Sequence, residues 1–356
     1  MFSGYHQSIH NARDGEALQA WKTFSLAYWE EPSFGLPEDL QQRLFHAGFL
    51  RSRWALYDMA EHGADGYLSD FQAMRLQAAN AKYQTVMADR VLCSHVVSNY
   101  CPAPEIYCVV TAEEVQWVAA PWWHQDDHAP GELIVHPMQS GAAMPYQRVA
   151  LREGRFHSAL GEGGSDELVS NLQQQARQHG SAYVLSEHVS QGAFAETLAP
   201  GHLNLLNVLL VREQHEWRPQ LASATLLIGR QGKDGEAALR VEEGALSAAI
   251  DHQTGLITAC KGLDEGRRAL TDYAVHPQSG SRIVGQSLPG WQEIRRMLMA
   301  FFDEASYLRT CNLSFVLTDD GPCFFAACEG QLATHQIHRP LLDDPFISSH
   351  VNRLES

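Results

Sequence analysis

Apolar residues recur at helical spacing in two stretches of the first third of the chain. The first stretch ends at Pro32, and its apolar positions are Ala17, Trp21, Phe24, Leu26 and Trp29. The second has Ser69 as an N-cap and continues to about Cys101, with Phe71, Met74, Ala78, Val86, Leu92 and Val96 as its apolar positions. Pro102 and Pro104 end it, because proline cannot continue a helix and restricts the residue before it. The pattern predicts a helical N-terminal segment.

Short apolar runs replace this helical pattern after the two prolines. They predict strands over residues 106–110, 133–135, 183–189, 204–212, 221–230, 313–318 and 322–328. Residues 166–179 are predicted as a helix closed by Gly180, and a second helix is predicted after Gly290. The inward stripe of that second helix is Trp291, Ile294, Leu298, Phe301 and Ala305. Residues 319–321 read Asp-Asp-Gly, a strong hairpin signal between the last two strands. The sequence therefore predicts an α+β protein with two lobes.

Composition and charge narrow the function classes. Of 356 residues, 45% are hydrophobic and 19% charged, which is enough apolar material for a sizeable core and argues against disorder. The formal net charge of −16 would repel nucleic-acid phosphates and anionic lipids. No apolar run approaches the length of a membrane span. We expect no nucleic-acid partner, no membrane insertion and a cytoplasmic location.

Several chemistry-bearing patterns are absent or weak. The seven cysteines contain no Cys-x-x-Cys pair, and most of them lie in apolar runs typical of buried thiols. Residues 122–128 place His124 and His128 around two aspartates, but flanking prolines favour a loop over a metal site, and the pair His335 and His338 is discounted similarly. There is no nucleophile elbow or P-loop, and no local pattern supports Cys328 as a nucleophile.

Several short motifs resemble, in order, those of the sugar-transfer-associated ATP-grasp family, a relative of the glutamate-ligase-like proteins. They lie at residues 80–90, 102–107, 133–137, 183–191, 200–204, 229–230, 250–255, 276–280, 285–291 and 318–322. Each motif is weak by itself, and their ordered succession over residues 75–345 carries the resemblance. It implies an ATP-grasp fold with a helical segment at 1–78, a first lobe at 79–185, a second lobe at 186–345 and a tail at 346–356.

The resemblance implies that an active member clamps ATP between its lobes and transfers the γ-phosphoryl group to a carboxylate. That chemistry needs cations and carboxylate-held Mg²⁺ beside the phosphates. Alignment on Asp320 and Gly321 places Ser314, Ala326 and Cys328 where the family has two carboxylates and an amide. These three side chains cannot replace that ligand set, so we expect no metal site there.

The nucleotide-binding positions implied by the resemblance also differ from the family pattern. His136 stands where the family has lysine, and Asn207 where it has arginine. Arg90 replaces a lysine, and the cover loop at residues 139–145 has one glycine and a proline. Glu187 lies on the strand that resembles the family's hinge. We take Arg90, His136 and Glu187 as the cofactor-binding positions of a degenerate site, and expect no bound cofactor.

The acceptor-substrate side of the family motif is retained. Its positions are Arg230, Asp251, His276 and Ser279. One interpretation is structural, with Arg230 at a strand end and His276 in a turn. The other is a pocket for an anionic small molecule, in which Arg230 clamps a carboxylate or phosphate, and Arg230 and His276 are the candidate catalytic residues.

These observations leave three hypotheses for the function. The first is a diverged pseudoenzyme that binds a small molecule or a pathway protein during biosynthesis of a glycan or small metabolite. The second is a working enzyme, either an ATP-dependent carboxylate–amine ligase using ATP and Mg²⁺ with Glu187, Asp251 and Glu329 as substitute ligands, or different chemistry around His276 and Arg230. The third is a purely structural subunit of a larger complex.

Overall fold

A computed structural model describes most of the chain, in two compact units. The described residues are 15–120, 131–138, 146–158, 161–212, 218–231, 237–238, 240–264, 269–327 and 332–355. The larger unit comprises Met1–Gln84, Gln191–Gly321 and Glu329–Ser356, and the smaller unit comprises Thr85–Ser190 and Pro322–Cys328. The helical N-terminal segment therefore belongs to the same unit as most of the later strands.

The helices of the described residues are mostly short. In chain order the α-helices are α1 (Gly15–Glu30), α2 (Glu38–His46), α3 (Arg53–Leu56), α4 (Met59–His62), α5 (Asp70–Gln77), α6 (Gln84–Ala88), α7 (Arg90–Val97), α8 (Ser165–His179), α9 (Ala193–Leu198), α10 (Trp291–Glu304), α11 (Ala333–Gln336) and α12 (Pro345–Glu355). Turns of 3₁₀-helix lie at Ala78–Tyr83, Val241–Glu243 and Leu341–Asp343.

The strands are β1 (Ile106–Val110), β2 (Val115–Trp117), β3 (Gly131–Pro137), β4 (Gln147–Arg152), β5 (Arg155–Ser158), β6 (Gly161–Gly163), β7 (Tyr183–Glu187), β8 (Asn204–Arg212), β9 (Pro219–Ile228), β10 (Arg230–Gln231), β11 (Ala237–Ala238), β12 (Leu246–Ile250), β13 (Ile257–Leu263), β14 (Leu270–Asp272), β15 (Thr310–Thr318) and β16 (Gly321–Ala327). The smaller unit holds an antiparallel sheet in the order β2-β1-β7-β3-β4-β5-β6. In the larger unit, neighbours run β14-β13-β12-β9-β8-β15, again antiparallel. Helices with antiparallel sheets agree with the predicted α+β class.

The core of the larger unit forms around β8, whose nine residues are all buried. The α10 stripe predicted from the sequence is buried as expected, with Leu298 completely inaccessible, and α10 packs against β9. A second apolar cluster joins the N-terminal helices to the sheet through Leu68, Leu76, Leu209 and Val211. The N-terminal helices are therefore part of this core.

Polar side chains also connect the N-terminal helices to the rest of the larger unit. The amide of Asn80 donates from Nδ2 to Thr310 O at 2.8 Å and accepts at Oδ1 from the backbone N–H of Arg309 at 2.8 Å. Gln336 donates to the Tyr57 hydroxyl at 3.0 Å and to Leu68 O at 2.8 Å. These bonds connect the N-terminal helices to β15 and to α11.

The second helical run of the sequence is interrupted in the structure. Ser69 is its N-cap, as predicted, and forms a capping box in which Gln72 N donates to Ser69 Oγ at 3.2 Å. The single run to Cys101 is wrong, because Ala81 adopts φ 48° and ψ −132° inside the 3₁₀ turn and breaks the chain into short helices. Periodicity cannot show such a break, since alanine favours helices elsewhere. None of the described helices is long and apolar enough to span a membrane.

His335 lies at the centre of a buried polar network in the larger unit. Its Nδ1 is 3.0 Å from Ser223 Oγ and its Nε2 is 3.2 Å from Asn312 Oδ1. Because an amide oxygen only accepts, we assign the ring proton to Nε2. Burial is the main cause that lowers the pKa of His335 to about 3. The nearby His338 and Arg339 lower this pKa further. The folded protein therefore holds this imidazole neutral.

Because the pKa of His335 is lower in the folded than in the unfolded chain, the unfolded chain takes up a proton first as the pH falls. We expect the free energy of unfolding to fall from about pH 6.5 towards pH 3, with about 2 kcal/mol lost by pH 5 through this residue. His335→Gln should be less stable at pH 7 but show a shallower pH dependence. Urea unfolding at several pH values measures both. The exposed His252→Gln is the control; equal slopes in wild type and His335→Gln would contradict the prediction.

Candidate functional site

Two positions singled out by the sequence, Asn207 and Ser314, face each other across neighbouring strands of the larger unit. They are direct partners in the β8–β15 register. Ser314 is fully buried, Asn207 is 7% exposed, and the Ser314 hydroxyl donates to Asn207 Oδ1. The resemblance places a carboxylate and an arginine at these positions. Here both have been replaced by neutral groups that hydrogen-bond to each other.

The other metal-ligand positions add no hard oxygen ligand among the described residues. Ala326, on β16 in the smaller unit, is buried and offers only a methyl group. Cys328 and Glu329 lie outside the described residues, as do the cover loop at 139–145 and the patch at 122–128. Asp319 is used elsewhere, since its Oδ1 accepts from Ala193 N at 2.8 Å and so caps α9. At the described positions the residues do not fit the Mg²⁺ that the fold family implies.

His136 is enclosed by aromatic rings in the smaller unit. It is 3% exposed, and its ring centroid lies 5.0 Å from that of Phe325 and 6.2 Å from that of Tyr146. Burial, helped by the nearby Arg90 charge, holds the pKa of His136 well below its usual range. Where the family has a lysine, this chain therefore presents an uncharged ring. The sequence did not predict Tyr146 or Phe325 as its neighbours, because no local pattern relates 136, 146 and 325.

Arg90 and Glu187 are both engaged within the smaller unit. The guanidinium of Arg90 donates to Phe325 O at 2.8 Å and to Pro137 O at 3.3 Å. Glu187, exposed at the end of β7, accepts at Oε2 from the backbone N–H of Glu105 at 3.3 Å. Arg90 thus binds backbone carbonyls of β3 and β16, whereas Glu187 keeps a carboxylate oxygen at the surface. Their cofactor-binding role stays a prediction.

The acceptor-side residues of the larger unit build turns. His276 is buried; its Nε2 lies 3.1 Å from Gly229 O, and its Nδ1 accepts from Ser279 N at 3.1 Å. Because a carbonyl only accepts, Nε2 carries the ring proton. Burial is the main cause that lowers the pKa of His276. Both ring nitrogens therefore already have partners in the chain.

The side chains of Ser279 and Asp251 are likewise hydrogen-bonded to other groups of the chain. Ser279 Oγ donates to Leu198 O at 2.7 Å. Asp251 Oδ1 accepts from Thr254 N and Thr254 Oγ1, each at 2.8 Å, and the Thr254 hydroxyl is the first cause that lowers the pKa of the Asp251 carboxyl. These contacts are those of a side-chain-capped turn.

Among the retained acceptor-side positions, Arg230 has the least defined structural role. It lies half-buried at the start of β10, directly after Gly229, where a Cβ would come within 2.6 Å of Leu203 O. The glycine is therefore required for the close approach of two backbone segments. The substrate-binding role of Arg230, Asp251, His276 and Ser279, and the catalytic role of Arg230 and His276, stay predictions.

Comparison with known families places this geometry in context. Residues 167–337 match the family described as sugar-transfer associated ATP-grasp. This part of the chain is therefore similar to the sugar-transfer-associated ATP-grasp family. The predicted ATP-grasp fold with its helical N-terminal segment is confirmed with it. No curated protein matches the sequence.

Solved ATP-grasp-type ligases are similar only at low identity. The D-alanine–D-alanine ligase from Bacillus anthracis is 11% identical, with a TM-score of 0.39 over 76% of this chain and 69% of the ligase. The L-amino acid ligase from Bacillus licheniformis is 10% identical, with a TM-score of 0.41 over 86% of this chain and 60% of the ligase. The D-cycloserine synthetase DcsG is 11% identical, with a TM-score of 0.38 over 95% and 93%. Identities and TM-scores this low support no inference about the function of this chain.

A lysine at position 136, where the family resemblance places one, should destabilise this chain. Its ammonium group would lie against the rings of Phe325 and Tyr146 and near the Arg90 guanidinium, and none of these three described neighbours carries a negative charge. We expect His136→Lys to lower the free energy of unfolding by about 3 kcal/mol in urea unfolding. His95→Lys, at an exposed position of α7, is the matched control. Equal stability of His136→Lys and wild type would show that this site accepts a cation.

The facing positions 207 and 314 allow a double-mutant cycle. Asn207→Arg alone and Ser314→Asp alone each bury an unpaired charge, so we expect both to be strongly destabilising, whereas the double variant should recover about 1–3 kcal/mol. Thermal and urea unfolding measure the coupling. Thr318→Asp, about 13 Å further along the strand, is the control partner for Asn207→Arg. Equal coupling in both pairs would contradict a direct interaction between 207 and 314.

Proposed function

We propose that this protein is a diverged ATP-grasp pseudoenzyme that binds a small molecule or a partner protein without ATP- and Mg²⁺-dependent phosphoryl transfer. The observation that carries the proposal is the buried, neutral Asn207–Ser314 pair. The family pattern requires an arginine and a carboxylate there, one for phosphate charge and one for metal. Neither the arginine nor the carboxylate is present at this pair of facing positions.

The electrostatics of phosphoryl transfer support the proposal. A triphosphate carries several negative charges, and ATP-grasp chemistry consists largely of positioning and neutralising them. His136 contributes no positive charge because burial keeps it neutral. Arg90 keeps its charge, but its guanidinium already binds two backbone carbonyls. The described positions thus supply little of the cationic surface that a nucleotide needs.

The family description supports a place in biosynthesis of a glycan or small metabolite. A small-molecule ligand or a protein of the same pathway is the partner this proposal implies, and the net charge of −16 argues against nucleic acid. On the acceptor side, Arg230 is the residue we propose to meet an anionic group of the ligand. A guanidinium suits carboxylate or phosphate because it donates two parallel hydrogen bonds.

The competing function is an active carboxylate–amine ligase with substitute ligands. Glu187 favours it most, because its carboxylate lies at the surface of the hinge strand. Asp251 favours it least, since one of its oxygens already accepts three hydrogen bonds in its own turn.

Calorimetry with ATP and MgCl₂ separates the two functions. We expect no saturable heat in the micromolar range and no phosphate release when amino acids or sugar acids are added. Thermal shift with sugars and amino acids should then raise the unfolding temperature for the ligand bound by the native state. Micromolar ATP binding with phosphate release, abolished by Glu187→Gln but not by Glu113→Gln at an exposed loop position, would establish the ligase instead.

A further inference from the structure

A cavity of about 390 Å³ opens in the larger unit, away from every position compared with the family site. Three parts of the chain form it: the loop and helix around α4, strands β13 and β14, and the segment after α11. Among its lining residues are Tyr57, Asp58, Asp65, Lys261, Asp272 and His338. None of the acceptor-side or nucleotide-side positions lines it within the described residues. It needs an explanation separate from the ATP-grasp chemistry.

The walls of this cavity are held by bonds to groups behind them. The rings of Tyr57 and Tyr67 stack with centroids 4.7 Å apart and 4° between their planes. The Tyr57 hydroxyl accepts a hydrogen bond from Gln336 Nε2 at 3.0 Å. On the opposite side, His338 Nε2 donates to Ser247 O at 3.0 Å. Walls fixed in this way reduce the entropy lost when a ligand binds.

The acidic lining residues have no such partners. Among the residues that the structure describes, the carboxylates of Asp58, Asp65 and Asp272 make no hydrogen bond and no ion pair. Three carboxylates therefore share the cavity with the ammonium group of Lys261, which faces Asp272 in the β13–β14 register, and with the imidazole of His62, which lies within 4.8 Å of the Asp58 carboxylate. Burial lowers the pKa of His338 to about 4, so this ring adds no charge near neutral pH. A concave surface with excess charge of one sign concentrates ligands of the opposite sign.

We propose that this cavity binds a small organic cation, an amine- or guanidinium-bearing metabolite, between Asp58, Asp65 and Asp272. An organic molecule suits the site better than a bare metal ion, because the volume exceeds that of an ion and Leu270 and Ile337 supply apolar wall. The carboxylates would accept the N–H donors of the cation in charge-assisted hydrogen bonds. The ammonium group of Lys261 would repel the cation, and this repulsion would limit how highly charged a ligand the cavity binds.

Calorimetry at low ionic strength tests the site with spermidine and glucosamine as cationic probes and glucuronate as an anionic probe. We expect saturable binding of a cationic probe to the full-length protein, and none of glucuronate. Asp58→Asn and Asp272→Asn should each raise the Kd about threefold to fivefold. Asn keeps the left-handed backbone of Asp58, whose φ is 46°, so the first substitution changes charge with little strain. Lys261→Gln should lower the Kd by a similar factor.

The control is Asp320→Asn, which removes the same charge from an exposed turn outside the cavity. It should leave the Kd unchanged, and thermal unfolding without probe should show that each variant folds. If Asp320→Asn weakens binding as much as Asp272→Asn, the attraction is that of the whole acidic protein and the proposal is wrong. A titration that detects CaCl₂ or MnCl₂ binding but neither organic cation would also overturn it. ATP binding is measured separately, so either result leaves the proposed pseudoenzyme function to its own test.

Discussion

An ionised side chain inside a protein must face an opposite charge, because removing it from water is expensive and only a close counter-charge offsets the loss. Asn207 and Ser314 satisfy this constraint by being neutral. The sheet interior would otherwise have to hold an arginine and a carboxylate without phosphate or metal to share their charge. Loss of one partner alone would leave the other unpaired, which gives a physical reason for the two positions to have changed together.

Arg53 shows the constraint satisfied in the other way. Burial alone would lower its pKa, yet the carboxylates of Asp70 and Glu242, with Tyr57, raise it well above the ordinary value. Its guanidinium lies 2.9 Å from Asp70 and also contacts Glu242, in the 3₁₀ turn before β12. This charged cluster joins α3 and α5 to the strand-rich part of the larger unit. A cation is retained here, where it connects elements, whereas His136 and Asn207, at positions where the resemblance places a lysine and an arginine, are neutral.

The sequence predicted elements well where one local pattern decides them. The α10 stripe and strand β8 are examples, since apolar spacing alone determines which residues are buried. The break at Ala81 was not predictable, because alanine favours helices and no residue type around it marks the positive φ that it adopts. The replacements at Asn207 and Ser314 could be read from the sequence through the family resemblance. That they hydrogen-bond to each other could not, since it depends on the register between β8 and β15. The partners of His276 likewise come from residues far away along the chain, at Gly229, and close by, at Ser279.

The residues that match the family supply only part of the cavity lining. Tyr57, Asp58 and Asp65 precede residues 167–337, whereas Lys261 and Asp272 fall within them. Its acidic character therefore depends on the N-terminal helices, which dock through Leu68 and Leu76 and through the Gln336 hydrogen bonds. Deleting those helices would expose this apolar surface together with the cavity, so loss of binding could not be distinguished from loss of folding. Single charge substitutions in the full chain avoid that ambiguity, because removing a carboxylate and removing an ammonium group should change affinity in opposite directions while the core stays intact.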